Sequence, residues 1–345
     1  MRQARLKLDS CVGPAYYHCI SRVVERRMAF GPNEKEQFVH WMQAYAGFCG
    51  VRVLTYCIMS NHFHILVEVS QRPEVLPGDE ELLGLYALVH GEDAAESQRK
   101  LMTIWPEEQR QQWRNGLYAQ MWDVSAYIKL LKQRFTQWFN RWHRRKGTLW
   151  EERFKSVLVE GSRDSLAPVA AYIDLNPIRA RLTEDPKEYR WSGYAAAVAG
   201  VRAAKEGIRG IIDPGDREER NLTEAMARYR LWVFGEGMTE GVQGPDGPAI
   251  RAGISPEKIK EVFAQKGKLG WGDYVRCRVR YFTDGAVIGS RGWVNQVFED
   301  HRQRFGPKRK DGARRFKFLA QTDIFGLRDL RVEPLGFPSG SETGR

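Results

Sequence analysis

Apolar and polar residues alternate most regularly between residues 62 and 69, which is the pattern of a half-buried β-strand. One face of this strand carries His62 and His64 together with Leu66 and Glu68, and the other face is entirely apolar. Because the apolar face must be buried, the register is fixed and both imidazoles are held on the opposite side. The residues of the apolar face are Phe63, Ile65, Val67 and Val69.

Further strands and helices alternate on either side of this segment. Residues 15–24, 51–59 and 155–160 have strand patterns, and helical spacing indicates helices over 33–48, 124–145 and 166–176, the first with Asn33 as its N-cap. The order strand, helix, strand, strand, helix, strand is that of a ferredoxin-like or RRM-like fold. We therefore expect an α+β architecture in which helices pack on an antiparallel sheet.

Two stretches depart from this pattern. Residues 71–116 are broken by Pro and Gly and then become rich in Gln, Glu and Arg, which indicates a helix-prone insertion over the surface. Residues 201–250 have the composition of a linker with one short helix over 223–234. The sequence therefore predicts a first domain over 1–200, a linker over 201–250, a small basic C-terminal unit over 251–330 and a tail over 331–345.

The charge of the chain favours a polyanionic partner. Lys and Arg outnumber Asp and Glu by 54 to 43, a net charge of +11. Most of this excess lies in residues 251–318, which hold 17 Lys and Arg against 7 Asp and Glu. Within this basic unit we expect a turn at 281–285 and a helix over 291–305 that Ser290 caps.

No long apolar run and no signal-peptide core occur in the sequence, so no membrane partner is expected. The 5 cysteines form no Cys-x-x-Cys pair, which indicates reduced thiols and a cytoplasmic location. Cations and aromatic residues interleave densely on the helix predicted over 124–145. This interleaving fits a nucleic-acid surface and a solvated basic helix face about equally well.

Two imidazoles at i and i+2 of a strand can converge on one divalent cation, although ordinary half-buried strands also carry histidines. Tyr172 and Asn176 share one face of the helix predicted over 166–176, at i and i+4. If this helix packs beside the strand, Asn176 Oδ1 becomes a third ligand and Tyr172 can attack a phosphate held by Mg²⁺ or Mn²⁺. A core tyrosine is the alternative interpretation of Tyr172. Tyr127 is the second choice as nucleophile, with Leu131 instead of a ligand one turn later.

Four motifs extend this pattern: Met-Ser-Asn-His-Phe-His at 59–64, Gly-Thr-Leu-Trp-Glu-x-Arg-Phe-Lys at 147–155, Tyr-Ile-Asp-Leu-Asn-Pro-x-Arg-Ala at 172–180 and Tyr-His-x-x-x-Arg at 17–22. Together they strongly resemble the HUH single-tyrosine transposases, in particular the group called REP-associated tyrosine transposases. Phe63 is the hydrophobic U of the HUH motif. A weaker match at 280–285 looks like a C-terminal extension that some relatives carry.

This resemblance implies a metal-dependent transposase and endonuclease of the HUH endonuclease fold, with residues 1–200 as its catalytic domain and 251–330 as a DNA-binding unit. His62, His64 and Asn176 would hold Mg²⁺ or Mn²⁺. Tyr172 would attack single-stranded DNA beside a palindromic hairpin, leaving a 5′-phosphotyrosine and a free 3′-OH that can reverse the step. The protein would act as a monomer or homodimer. The residues expected to contact DNA are Arg22, Lys132, Arg141, Arg144, Arg145, Lys146, Arg153, Lys155 and Arg179.

Two other functions stay open beside this one. A host-adopted protein could use the same scaffold to hold DNA hairpins without cutting, although such a binder has no need of all four site residues. An RRM-like RNA-binding module is disfavoured, because the strand carries histidines where stacking aromatic residues are expected. The long 71–116 insertion prevents hairpin contacts from being carried over, and Asn176 stands where other branches of the superfamily use Gln, Glu or His.

Overall fold

Four antiparallel strands form one end of a seven-stranded sheet, in the order of a ferredoxin-like fold. In the computed structural model, β1 (Ala15–Arg22) lies between β3 (His62–Val69) and β4 (Lys155–Val159), and β2 (Val51–Ile58) pairs with the other edge of β3. The predicted α+β architecture is therefore confirmed. The structure describes residues 5–214, 222–236, 240–244, 247–251, 259–260, 287–307, 309–315 and 324–327.

Helices connect the strands and cover both faces of the sheet. None of the described helices is long and apolar enough to cross a membrane. The described helices are α1 (Pro32–Phe48), α2 (Asp79–His90), α3 (Glu92–Ile104), α4 (Glu107–Tyr118), α5 (Val124–Trp142), α6 (Arg163–Asp174), α7 (Asn176–Arg179), α8 (Gly193–Val198), α9 (Arg202–Ile212), α10 (Leu222–Glu236) and α11 (Arg291–Asp300).

The two faces of β3 are buried in two different apolar clusters. Phe63, Ile65, Val67 and Val69 pack with α1 and α5, so the face assignment made from the alternation is confirmed. The opposite face packs under α6 and α8–α10, where Leu66 joins a second cluster. The strand is therefore buried on both faces instead of one, because a second helical layer covers the histidine side.

Helix α1 has its N-cap two residues earlier than predicted. Its N-cap is Gly31, which makes no side-chain capping bond, and Pro32 occupies the first turn. Asn33 lies inside the helix, so its prediction as the N-cap is wrong. Proline is favoured at the first helical position because its φ is already helical and it has no N–H that needs a partner.

Residues 71–116 form the helical surface insertion that was predicted. Helix α2 packs against α1 and against α3, and it buries Leu82 and Leu83. Arg114 of α4 donates to both Asp79 of α2 and Glu107 of α4. These contacts attach the insertion to the face of the sheet that α1 covers.

The predicted linker over 201–250 is largely part of the fold, which corrects the sequence interpretation. Helix α9, which was not predicted, packs on β2, and α10 packs on both α9 and α6. Ile208 and Ile211 of α9 and Tyr229 and Phe234 of α10 are fully buried. The apolar pattern of α9 is short and follows a stretch of small residues, so the sequence pattern does not separate this segment from a linker. Its packing on β2 does.

The described part of the basic C-terminal unit extends the same sheet. Strand β7 (Val287–Gly289) pairs in parallel with β4, and β9 (Phe325–Leu327) and β8 (Arg314–Arg315) follow it. Ser290 caps α11 by accepting from Trp293 N, as predicted, although the helix ends at Asp300 and not at 305. The 280–285 motif with its predicted turn and the 331–345 tail lie outside the described residues. Strands β5 (Glu240–Gly244) and β6 (Gly247–Arg251) form a separate hairpin.

Candidate active site

Strand β3 places His62 and His64 on one face, and β1 adds a third histidine to that face. His18 faces Leu66 across the ladder, two positions along from the pair of Ile20 with His64, so all three rings belong to the same side of the sheet. The ring centroids are 5.1 Å apart for His62 and His64 and 5.2 Å apart for His18 and His64. The strand pairing, and not chain proximity, therefore creates a cluster of three imidazoles.

Asn61 sets the proton position on His62. The Nδ2 of Asn61 donates to the carbonyl oxygen of Arg26 at 3.0 Å, so its Oδ1 faces His62 Nδ1 at 2.6 Å. An amide oxygen only accepts, which requires the proton of a neutral His62 to lie on Nδ1. The lone pair on Nε2 is then available to a ligand.

Both candidate ligands are neutral imidazoles near pH 7. Burial, and secondarily the charge of Arg22, lowers the pKa of His62 to about 4. His64 is 2% exposed, and its pKa lies well below its usual value because of burial first and of His62 and His18 next. A neutral imidazole is the form that coordinates a divalent cation.

Helix α6 brings Tyr172 against this cluster. Every residue from Ser165 to Asp174 is buried, and Tyr172 is only 4% exposed. Its ring lies edge-on to His64, with the centroids 5.6 Å apart, and edge-on to His18 at 6.1 Å. The structure therefore juxtaposes the predicted nucleophile with one predicted metal ligand.

A buried carboxylate anchors α6 in this position. Asp174 Oδ1 accepts from Thr55 Oγ1 of β2 at 2.9 Å and from Tyr194 N of α8 at 3.3 Å, and Oδ2 accepts from Tyr229 OH of α10 at 2.5 Å. Burial raises the pKa of Asp174 to about 7, although these donors oppose the shift. Asp174 thus ties the helix that carries Tyr172 to one strand and two other helices.

Asn176 lies one turn after Tyr172 but not on the same continuous helix, which corrects the prediction. Helix α6 ends at Asp174, and α7 begins at Asn176, with Pro177 in its first turn. Pro177 has no N–H to offer the Ile173 carbonyl, and Asn176 Nδ2 instead donates to Tyr172 O at 2.9 Å and Ile173 O at 3.0 Å. These bonds orient the amide so that Oδ1 faces away from the end of α6.

Arg179 of α7 completes the surroundings of Tyr172. Its Nη1 donates to the Tyr172 carbonyl oxygen at 2.9 Å, and its guanidinium lies 4.8 Å from the centre of the Tyr172 ring.

Two further cations lie on the histidine face at its exposed end. Arg22 pairs with His62 across the ladder, and Lys155 pairs with Ile20, the cross-strand partner of His64.

The remaining cations predicted to contact DNA lie elsewhere. Lys132 is directed inward, where its Nζ donates to Ser21 Oγ at 2.7 Å and to Glu152 O at 3.0 Å. Arg145 donates to Thr148 O at 2.9 Å. The exposed cations are Arg141, Arg144, Lys146 and Arg153, in and after the last turn of α5 and before β4.

Tyr127, the second choice as nucleophile, lies on the other side of the sheet. It is completely buried in the cluster under α1 and α5, and its hydroxyl donates to Met42 O at 3.1 Å. Burial raises its pKa well above the usual value. This tyrosine is therefore a core residue with no access to the histidines.

The donor set fits a hard divalent cation only if an amide joins the imidazoles. Within the part of the chain that the structure describes, no group of three or more His, Cys, Asp and Glu side chains is arranged to hold a metal ion. The donors that the cluster itself offers are the Nε2 atoms of His62 and His64, and Asn176 Oδ1, one turn after Tyr172 in the chain, is the amide oxygen predicted to join them. Two neutral nitrogens and a neutral oxygen leave the full charge of the cation for an anionic ligand.

The sequence interpretation missed two supporting residues. His18 was noted only as part of the 17–22 motif, and Asn61 only as part of the 59–64 motif. The alternation of the first strand places His18 and Arg22 on one face, but the partner of that face depends on the strand order. Only the pairing of β1 with β3 shows that His18 reaches His64.

The chain has recognisable relatives at the level of a protein family. Residues 11–120 match the family described as "Transposase IS200 like", a segment that contains the three histidines and ends before Tyr172. No curated protein matches the chain. Among solved structures, one titled "Structure of the REP associates tyrosine transposase bound to a REP hairpin" is similar with a TM-score of 0.37 and 12% identity, over 58% of this chain and 86% of that one.

Proposed function

Residues 11–120 match the IS200-like transposase family, and from that premise we propose that the chain cuts and rejoins hairpin-bearing single-stranded DNA with Tyr172 as its nucleophile. The observation that carries this proposal is the contact of the Tyr172 ring with His64, on the face that also holds His62. The hairpin specificity rests on the sequence motifs alone.

We assign the ligands of a divalent cation to three side chains. His62 and His64 would each contribute Nε2 and Asn176 would contribute Oδ1, with Mg²⁺ or Mn²⁺ as the ion. When bound, the cation supplies positive charge that polarises the scissile phosphate and stabilises the charge that develops on it. Arg22 and Lys155, on the exposed end of the same face, would bind neighbouring phosphates of the strand.

Tyr172 performs the covalent step in this proposal. Its hydroxyl oxygen attacks the phosphorus, the bond from phosphorus to the 3′ oxygen breaks, and the phenolic proton passes to water while the 3′ oxygen gains a proton. The products are a 5′-phosphotyrosine and a free 3′-OH. One phosphodiester replaces another, so the reverse attack by a 3′-OH rejoins strands without a nucleotide cofactor.

A covalent-adduct assay tests the proposal. The full chain is incubated with labelled single strands that carry hairpins, with Mn²⁺ or Mg²⁺, and the denatured mixture is examined for labelled protein. We expect an adduct with the wild type and at least about 1,000-fold less with Tyr172→Phe, since the nucleophilic oxygen is lost. Tyr127→Phe is the matched control and should retain the adduct.

Three results would contradict parts of the proposal. An adduct formed by Tyr172→Phe but not by Tyr127→Phe would overturn the assignment of the nucleophile. Full activity in excess chelator would exclude the cation. Tight hairpin binding with no adduct in either metal would favour the alternative, a host-adopted protein that holds hairpins without cutting.

A further inference from the structure

The buried pair His18 and His64 carries an inference beyond the ligand set. His18 Nε2 lies 3.0 Å from His64 Nδ1, and the two rings are stacked with an interplanar angle of 28°. His18 is completely buried. At this distance one of the two nitrogens must donate a proton to the other.

The direction of this hydrogen bond decides what His64 can do. A neutral imidazole has one protonated nitrogen and one lone pair. If His64 Nδ1 donates, His64 Nε2 keeps its lone pair and can bind a cation. If His18 Nε2 donates instead, the proton of His64 lies on Nε2 and blocks coordination there.

His18 lies in surroundings that would suit an apolar side chain better than an imidazole. On its two sides across the sheet lie Leu66 of β3 and Val157 of β4, both fully buried. Placing an imidazole between two aliphatic side chains costs desolvation energy, which an apolar residue at position 18 would avoid. Asn61 has a comparable role for His62. Its amide oxygen can only accept, so His62 Nδ1 must donate the hydrogen bond.

We propose that His18 is a positioning residue that accepts a hydrogen bond from His64 Nδ1 and thereby directs the lone pair of His64 Nε2 to the cation. This inference rests on the proposed function, because it assumes that His64 is a metal ligand. His18 does not touch the substrate in this proposal. It acts by fixing the tautomer and the ring orientation of His64.

Direct Mn²⁺ binding to the full chain tests the inference without any measurement of DNA cleavage. His18→Leu removes the acceptor and should weaken Mn²⁺ affinity by about 10- to 100-fold. His18→Gln can place an amide oxygen near the position of Nε2 and should stay within about threefold of the wild type. His18→Asn is too short to reach that position and should behave like His18→Leu.

Leu66→Val is the matched control, because it perturbs the same buried layer without removing a ring nitrogen. It should lower the unfolding temperature and leave Mn²⁺ affinity unchanged. If His18→Leu binds Mn²⁺ as tightly as the wild type, or if His18→Gln is as weak as His18→Leu, the positioning role is wrong. If the Mn²⁺ affinities follow this pattern but the wild type forms no covalent adduct with DNA, only the proposed function is wrong.

A measurement without metal tests the inference if the Mn²⁺ affinity is too weak to measure. In the protein labelled with ¹⁵N-histidine, ring nitrogen shifts report which nitrogen of His64 carries the proton. We expect Nδ1–H in the wild type and in His18→Gln, and a shift toward Nε2–H in His18→Leu. A wild-type His64 protonated on Nε2 would overturn the inference whatever the metal does.

Discussion

Lys132 illustrates, at the scale of single residues, how a cation predicted to contact DNA can serve the interior instead. Its Nζ donates to Ser21 and to the Glu152 carbonyl oxygen, and it lies 5.0 Å from the centre of the Trp150 ring. Burial, and then the charge of Arg5, lowers its pKa from 10.5 to about 8. The ammonium group is therefore held where its charged form is disfavoured.

This shift predicts how stability changes with pH. The pKa of Lys132 is lower in the folded chain than in the unfolded one, so unfolding takes up a proton between about pH 8 and 10.5. The contribution of Lys132 to the free energy of unfolding is fully present above pH 10.5 and is lost as the pH falls through 8. Relative to Lys132→Met, the wild type should gain about 1–2 kcal/mol of unfolding free energy between pH 8 and 9.5.

Urea denaturation of both proteins at the two pH values measures this difference. Lys129→Met is the control, since Lys129 is an exposed residue of the same helix. The wild type and Lys129→Met should change in parallel with pH. A constant difference between the wild type and Lys132→Met would mean that Lys132 is not desolvated.

At the scale of elements, the close packing of α9 on β2 depends on one glycine. The ladder between β2 and β3 is irregular between Val53 and Thr55, and α9 crosses this bulge. A Cβ on Gly207 would lie 2.7 Å from the carbonyl oxygen of Val53 and closer still to that of Leu54. Backbone atoms cannot move aside as a flexible side chain can, so the helix itself would have to shift.

Gly207→Ala should therefore destabilise the protein by about 1–3 kcal/mol, the range for overpacking a close contact. Gly84→Ala is the matched control, because Gly84 is exposed in α2 and a Cβ there would meet nothing within 4 Å. That change should stabilise the protein by about 0.5–1 kcal/mol through better helix propensity. Equal effects of the two substitutions in thermal unfolding would show that α9 does not contact β2 closely.

At the scale of the whole molecule, the described C-terminal strands extend the edge of the sheet that carries the histidines. Glu160, just after β4, accepts from Ser290 N at 2.7 Å and from Ser290 Oγ at 3.0 Å, and also from Ser165 Oγ of α6 at 3.2 Å. Val287 and Phe298 are fully buried in the same cluster as Phe63. Residues beyond β4 and the helix of Tyr172 are thus linked through one carboxylate.

Truncation after Gly247 should consequently destabilise the rest of the chain. The fragment would expose the β4 edge and lose the burial of several large apolar side chains, each worth about 1.5–3 kcal/mol. We expect low solubility or a much lower unfolding temperature than for the full chain. A soluble fragment with unchanged unfolding temperature and full adduct formation would show that the C-terminal residues serve DNA binding alone.

Glu160→Ala in the full chain is the sharper form of this test. It leaves three donors without their acceptor and should lower the unfolding free energy by about 1–3 kcal/mol. Glu151→Ala, at an exposed position before β4, is the control and should change it by less than about 0.5 kcal/mol.

The sequence alone was sufficient for the features that depend on local periodicity. Alternation over 62–69 determined which face of β3 carries the histidines, and the strand and helix order determined the ferredoxin-like arrangement of the first four strands. Both follow from side-chain periods of 2 and 3.6 residues, which are properties of the chain itself. The helical character of the 71–116 insertion was predictable from its composition, because Gln, Glu and Arg are good helix formers.

Only the tertiary structure decided which of these features meet. The pairing of β1 with β3 brings His18 to His64, and the packing of α6 brings Tyr172 to both. The same packing turns the predicted linker into α9 and α10 and gives Lys132 an internal role. These contacts join residues up to 154 positions apart in the sequence, from His18 to Tyr172. No local period encodes such contacts, because they arise from strand order and from the burial of surfaces that several elements share.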